Sequence, residues 1–312
     1  MHTLGQKAAV AVWAGLTLAL AGCGGAPLAS GGTAIAPQSV SMTVPAGAGR
    51  VFVSDFNAST VEIYPQGKPN PAPIGSISAG IAGPVGSAVD DNRTLYVTNA
   101  SNNTITEYPA GSTSPSVTIS NGLNYPTAIA VSHGGTIAVS EFPSGAIVEY
   151  APGKSSPSLT MTSLTYPEGL TFDSGGHLYA AWNVNNGNGL SGHVSKCAPL
   201  SANCTDLGIS AGQSGGLALD SAGDVVLGDQ TNSVVNIYAP RRTKPLRTIS
   251  TAGHDPAKLA LDAAQQRLYV DDIAGSAVVV YDYAAGAQDW TIARGLQSAT
   301  GVSLSPPARY GP

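Results

Sequence analysis

The stretch "GGTIAVSEFPSGAIVEYAPGKSSPSLTM", residues 134–161, reads as two apolar strands around a turn, then a third strand after a proline-bearing loop. Nearly the same phrase stands upstream as "NRTLYVTNASNNTITEYPAGSTSPSVTI", residues 92–119. Self-similarity at a fixed period marks a repeat architecture, and the period extends in both directions. A segment of the form P-x-G-ϕ-x-ϕ-D, with ϕ apolar, recurs as "PVGSAVD" at 84, "PTAIAVS" at 126, "PEGLTFD" at 167, "SGGLALD" at 214, "PAKLALD" at 256 and "ATGVSLS" at 299. The spacings are 42, 41, 47, 42 and 43. After each of the first five come a turn and a second strand ("TLYVTN", "TIAVSE", "HLYAAW", "DVVLGD", "RLYVDD"). A third ("TITEYP", "AIVEYA", "HVSKCA", "VVNIYA", "AVVVYD") and a fourth ("SVTIS", "SLTMT", "CTDLGI", "LRTIS", "DWTIA") complete the unit.

Four short β-branched and aromatic strands per period, punctuated by Gly, Pro, Asn and Asp, predict an all-β fold built of propeller blades. No window carries a 3.6-residue apolar period long enough for a helix. The ends fix the number of blades. "RVFVSD" at 50, "TVEIYP" at 60 and "IGSIS" at 74 are second, third and fourth strands without a first, and "ATGVSLS" at 299 is a first strand without successors. Joined, they close a sixth blade, so residues 50–306 are expected to form one six-bladed β-propeller of four antiparallel strands per blade. Closure hides two sheet edges that would otherwise invite association, and the ring is expected to be a monomer. Tyr64, Tyr108, Tyr150, Tyr238 and Tyr281, in phase at the ends of third strands, are expected to wedge between blades.

These units resemble those of the NHL and YVTN-type propeller families, which read "P-x-G-[IV]-A-[VL]-D … G-x-[LI]-Y-V-[AST]-[DN] … N-x-[IV]-x-x-Y". The resemblance spans residues 50–306 and implies the propeller fold. It leaves activity open, because members include binding scaffolds, lactonases and antibiotic lyases.

Residues 1–22 read as a lipoprotein signal peptide: Lys7, an apolar run from Ala8 to Leu20 too short for a membrane span, then "LAGC" ending at Cys23. The ending resembles the lipobox of bacterial lipoproteins, in which the cysteine is lipidated. The other reading is an ordinary cleaved signal with an incidental cysteine, and both imply export. Acyl chains on Cys23 would anchor the protein to a membrane at about 0.8 kcal/mol per buried CH₂. Gly24 after the cysteine implies the outer membrane or periplasm if the host is Gram-negative. Residues 23–49 are a tether of Gly, Ala, Ser and Pro reaching roughly 30 Å, and residues 307–312 a C-terminal tail. The formal net charge of −5 becomes one more negative when Lys7 is removed. An acidic domain is a poor polyanion binder, which excludes nucleic acid as a partner. In an oxidising compartment Cys197 and Cys204 are expected to form a disulfide contributing about 2–3 kcal/mol.

Propeller topology gathers two kinds of loop on one face, here called the top: those leading into first strands, and those joining second to third strands. The side chains ending the second strands form a ring there: Asp55, Asn99, Glu141, Trp182, Asp229 and Asp272. Two readings compete. The ring holds a hard cation such as Ca²⁺, Mg²⁺ or Zn²⁺, or sugar hydroxyls with Trp182 as a stacking surface; or its members cap turns. Nearer the axis, Glu168 and Lys258 stand at corresponding positions two blades apart, with His254 and Asp255 beside Lys258. They contact a ligand or pair across the channel. Similarity to gluconolactonase-type propellers implies a divalent cation held by Glu, Asn and Asp, for which Glu168, Asn99 or Asn183, and Asp229 have the correct types. That family's Glu belongs to the blade closed by the termini, where this chain has Thr300 and Gly301. The streptogramin-lyase type needs two histidines near Mg²⁺, whereas only His254 lies on the top face; His133 and His177 fall opposite, and His193 opens a third strand. No H-E-x-x-H and no G-x-x-x-x-G-K-[ST] phosphate loop is present, and no catalytic residue is assigned. The fourth blade departs from its siblings through its top loop "NVNNGNGLSG", residues 183–192, read as a recognition loop or a tolerated insertion.

The expected function is a membrane-anchored, extracytoplasmic binding or scaffolding module, without cofactor, taking a protein or glycan on its top face. The alternative is a divalent-metal-dependent hydrolase of the lactonase type. A purely structural role in the envelope is a third reading.

Overall fold

The computed structural model describes residues 49–142, 144–187 and 189–308. The signal peptide, Cys23, the tether up to residue 48 and residues 309–312 lie outside the described residues. Three strands come first: β1 (Arg50–Asp55), β2 (Thr60–Pro65) and β3 (Gly75–Ile77). Five sets of four follow. They are β4 (Pro84–Val89), β5 (Leu95–Asn99), β6 (Thr104–Tyr108) and β7 (Val117–Ile119), then β8 (Pro126–Val131), β9 (Ile137–Glu141), β10 (Ile147–Tyr150) and β11 (Leu159–Met161). The middle sets are β12 (Gly169–Phe172), β13 (Leu178–Asn185), β14 (Leu190–Cys197) and β15 (Cys204–Ala211), and β16 (Ser214–Leu219), β17 (Val225–Asp229), β18 (Val234–Tyr238) and β19 (Arg247–Ser250). The last is β20 (Pro256–Leu261), β21 (Arg267–Asp272), β22 (Ala277–Asp282) and β23 (Gln288–Ile292), before a final β24 (Ala299–Ser305).

These strands make six four-stranded antiparallel sheets, each set forming one blade, with β24 joining β1, β2 and β3 in the order β24-β1-β2-β3. The protein is a six-bladed β-propeller. Counting from the composite blade as blade 1, the seam pairs Arg50 with Ser305 and Val53 with Val302. Every residue of β24 is buried, because a strand next to the axis is covered by a neighbouring blade on each side. The apolar clusters lie between blades, as where Val270 and Val279 of blade 6 meet Val226 and Ile237 of blade 5.

The five in-phase tyrosines are all buried. Four reach back to the preceding blade: Tyr64 donates to the Arg294 carbonyl, Tyr108 to Ala79 and Tyr150 to Asn121, each at 2.7 Å, and Tyr281 to Thr251 at 3.4 Å. Each fills an inter-blade gap with its ring and satisfies a loop carbonyl with its hydroxyl, a bond contributing about 1 kcal/mol net.

First strands crowd one another near the axis. A Cβ on Gly86 would fall 2.2 Å from the Thr127 carbonyl oxygen, and one on Gly301 would fall 2.1 Å from that of Val85. Glycine at this step of the P-x-G unit therefore lets adjacent blades close.

Blade 4 differs from its sequence reading. The segment expected as a long loop over 183–192 is mostly strand, with Asn183 opposite Gly192, Val184 opposite Ser191 and Asn185 opposite Leu190. Only residues 186–189 lie between β13 and β14. A projecting hairpin needs only its backbone ladder, so it shows no apolar alternation to reveal it. Cys197 and Cys204 stand opposite each other on β14 and β15 and are disulfide-bonded.

Candidate functional site

The top-face ring is built at the ends of β1, β5, β9, β13, β17 and β21. Five of its members accept from backbone N–H groups of the loop leading into the first strand of their own blade. Asp55 accepts from Gln297 at 2.7 Å and Ser298 at 3.0 Å, Asn99 from Ala82 at 3.0 Å, and Glu141 from Asn124 at 2.7 Å. Asp229 accepts from Gly212 and Asp272 from Asp255, both at 3.0 Å. All five are buried. A loop N–H taken from water needs such a partner, so each side chain ties its two top loops together. Glu141 also accepts from Ser144 at 3.1 Å, and Asp272 lies 2.6 Å from His254 Nδ1.

Trp182 is the exception. Its indole N–H donates to Ser195 at 3.0 Å, and its ring stacks on His193 with centroids 4.8 Å apart. The loop-tying role passes to Asn183, which is wholly buried. Its carboxamide oxygen accepts from the Ser214 N–H at 2.8 Å and the Ser214 hydroxyl at 3.1 Å. Its NH₂ group donates to the Tyr166 and Ser214 carbonyls at 3.3 Å. Asn183, expected to face a ligand, thus joins blade 4 to blade 5.

Glu168 and Lys258 do meet. They stand one step apart in the repeat, Glu168 matching Ala257 rather than Lys258. Lys258 from blade 6 spans blade 5 to donate to the Glu168 carbonyl of blade 4 at 3.0 Å, with Nζ 3.9 Å from its carboxylate. Burial pushes the Glu168 carboxyl up, and Lys258 opposes this. Two further carboxylates belong to the cluster. Burial, with repulsion from Asp272 and Glu168, pushes Asp255 up to about 6. Asp271 is fully buried with neither oxygen hydrogen-bonded, and burial raises it well above the usual range against the pull of Lys258. Its signal was in the sequence: the other second strands carry Ser54, Thr98, Ser140, Ala181 and Gly228 at this step.

The donor set does not suit a divalent cation in this arrangement. Asn99, Asn183 and Asp229 are turned to protein N–H groups, and the Lys258 ammonium rests against Glu168. Among the described residues, no three of His, Cys, Asp and Glu converge on a point that would hold a metal.

The top face also carries an apolar feature that the repeat alignment passed over. Phe142 and Tyr166 are each 38% exposed. Phe142 follows β9, on the loop held by Glu141 and Ser144, and its N–H donates to the Tyr125 carbonyl at 3.1 Å. Gly145 of the same loop packs against the Tyr166 backbone. The Tyr166 carbonyl is held by Asn183, beside the Trp182–His193 stack. Exposed rings thus stand on neighbouring top loops of blades 3 and 4, here called the aromatic arc. In the sequence Phe142 and Tyr166 stand at positions the repeat does not hold to one residue type, Phe56 and Ala100 matching Phe142.

No family model matches the chain, and a search of the curated proteins found no match. Solved structures do resemble it. A chain of the nidogen/laminin complex is 20% identical, with a TM-score of 0.66, covering 82% of this chain and 98% of that one. A protein of unknown function from Desulfotomaculum acetoxidans DSM 771 is 14% identical, with a TM-score of 0.58 and the same two coverages. At these identities the likeness concerns the fold.

Proposed function

We propose that the protein is an exported, lipid-anchored propeller that acts as a binding module, taking a protein or glycan ligand on its top face. The observation that carries this reading is the aromatic arc of blades 3 and 4. Phe142 and Tyr166 present ring surface to solvent from loops already fastened by buried Glu141 and Asn183. Rigid aromatic surface of this kind loses little entropy on binding and suits either a sugar face or a protein hot spot. The occurrence of a similar fold in the nidogen/laminin complex supports a role in holding another protein.

The test is a binding screen of the mature domain against glycan arrays and cell-envelope proteins, repeated with Phe142→Ala/Tyr166→Ala. Ligand capture should fall at least tenfold in the double variant while its melting temperature is unchanged. Equal capture by both proteins would reject the arc. Metal analysis of the same preparation guards against the lactonase reading. A stoichiometric divalent cation, lost on Asp229→Ala, would favour the hydrolase instead. For the anchor, Cys23→Ser should move the protein from the membrane fraction to the soluble one; continued sedimentation with membranes would discard lipidation.

A further inference from the structure

The channel has a second mouth, on the face opposite the arc, and its chemistry is different. First strands run from the top to tight turns at the bottom, and between their lower halves lies a cavity of about 420 Å³. This is within the range of small-molecule sites, about 300–1,000 Å³.

The cavity is cup-shaped, tapering towards the top. Above it the channel narrows to a space of about 50 Å³ where Gly86, Ala128, Gly169, Gly216 and Gly301 approach the axis with Lys258 among them. The Lys258 side chain crosses this narrowing to reach Glu168. Its Nζ is drawn to the top side, where it donates to the Glu168 carbonyl at 3.0 Å and lies 3.9 Å from that residue's carboxylate.

The wall shows apolar surface: Ala88, Val131, Leu259 and Ala260 are half-buried and border the cavity, with buried Leu170 and Val302 between them. The rim is acidic, with Asp90, Asp91 and Asp173 among the lining residues. One ammonium stands by it, that of Lys196, already 2.8 Å from Asp173. His133, also on the rim, pairs with Asp91. Apolar wall surface beneath a rim of net negative charge favours a ligand with an apolar body and a positive head. A carboxylate-headed amphiphile of equal size would meet repulsion at the rim.

We propose that this cup, formed by the lower halves of the six first strands together with Pro307 and Ala308, is a binding site for an organic cation with an apolar body.

Octylammonium and octanoate, of equal chain length and opposite charge, are the probes, titrated calorimetrically into the mature domain. Octylammonium should bind at one per chain, and octanoate at least tenfold more weakly. Ser87→Phe and, as a second choice should that variant not fold, Ser303→Phe fill the cup and should abolish octylammonium binding in a protein that still unfolds in one cooperative transition. Asp91→Asn should weaken octylammonium several-fold and leave octanoate unchanged. Absence of octylammonium binding, equal binding of both probes, or binding that survives in both cup-filling variants would each overturn the proposal. Binding seen only after residues 309–312 are removed would assign the cup to the chain's own end and overturn it as well.

Discussion

Glu149 is a carboxylate held where the fold offers it little. It lies on β10, fully buried, with neither oxygen in hydrogen-bond geometry. Burial pushes it up to about 7, and the Leu200 N–H from the blade 4 disulfide loop offsets only part of this. A carboxyl whose folded value is raised holds its proton more tightly in the native state than in the unfolded chain. Its contribution to stability is therefore complete below about pH 4.5 and is lost as pH rises towards 7. Glu149→Met removes that titration. Urea unfolding should show the variant gaining on the parent between pH 5 and pH 8, by about 3 kcal/mol as a ceiling. Parallel stability profiles for the two proteins would refute this assignment. At this scale the sequence was legible where a residue broke the repeat's pattern. Glu168 and Lys258 stood out in a ring of small residues and proved to be partners. Glu149 did not stand out, since Glu107 occupies the same step on β6, and only the neighbouring blade decides whether such a side chain reaches water.

Among elements, blade 4 shows what periodicity reveals and what it hides. Its strands were visible as far as their apolar alternation ran, to Trp182 on β13 and from His193 on β14. The three further pairs on each strand rest on backbone hydrogen bonds, which leave no side-chain signature. The displacement of Trp182 from the loop-tying role, and its transfer to Asn183, was equally silent: both residues are plausible at the end of a second strand, and the choice depends on Ser214 in the next blade. Asn183→Ala would strand the Ser214 N–H and the Tyr166 carbonyl inside the protein. It should cost about 1–3 kcal/mol and loosen the junction of blades 4 and 5. Hydrogen exchange at Ser214 and Gly215 should quicken more than at the equivalent positions of blade 2. Uniform exchange across blades would mean that Asn183 is not the joint. The exposed top-face aromatics Phe142 and Tyr166 left no periodic mark, because ring exposure depends on how neighbouring loops pack.

For the whole molecule, the six-fold count and the closing of blade 1 by both ends were readable, because a unit missing its first strand and a lone first strand sum to one blade. The charge arrangement around the channel was not, since it depends on which residues of blades four and six come within reach of one another. The seam between β1 and β24 carries a further consequence. Arg50 and Ser305 are paired neighbours, and the covalent break sits at a place where hydrogen bonds alone already hold the ring. A circular permutant, with residue 307 linked to residue 49 through a few glycines and new termini opened in the 91–93 turn, should fold to the same ring and unfold in one transition. Blade 2 would then become the one shared by the two ends. Failure of that permutant to fold, with the linker long enough, would mean that assembly must begin from the natural first strand, and that the blades are equivalent in shape without being interchangeable in order.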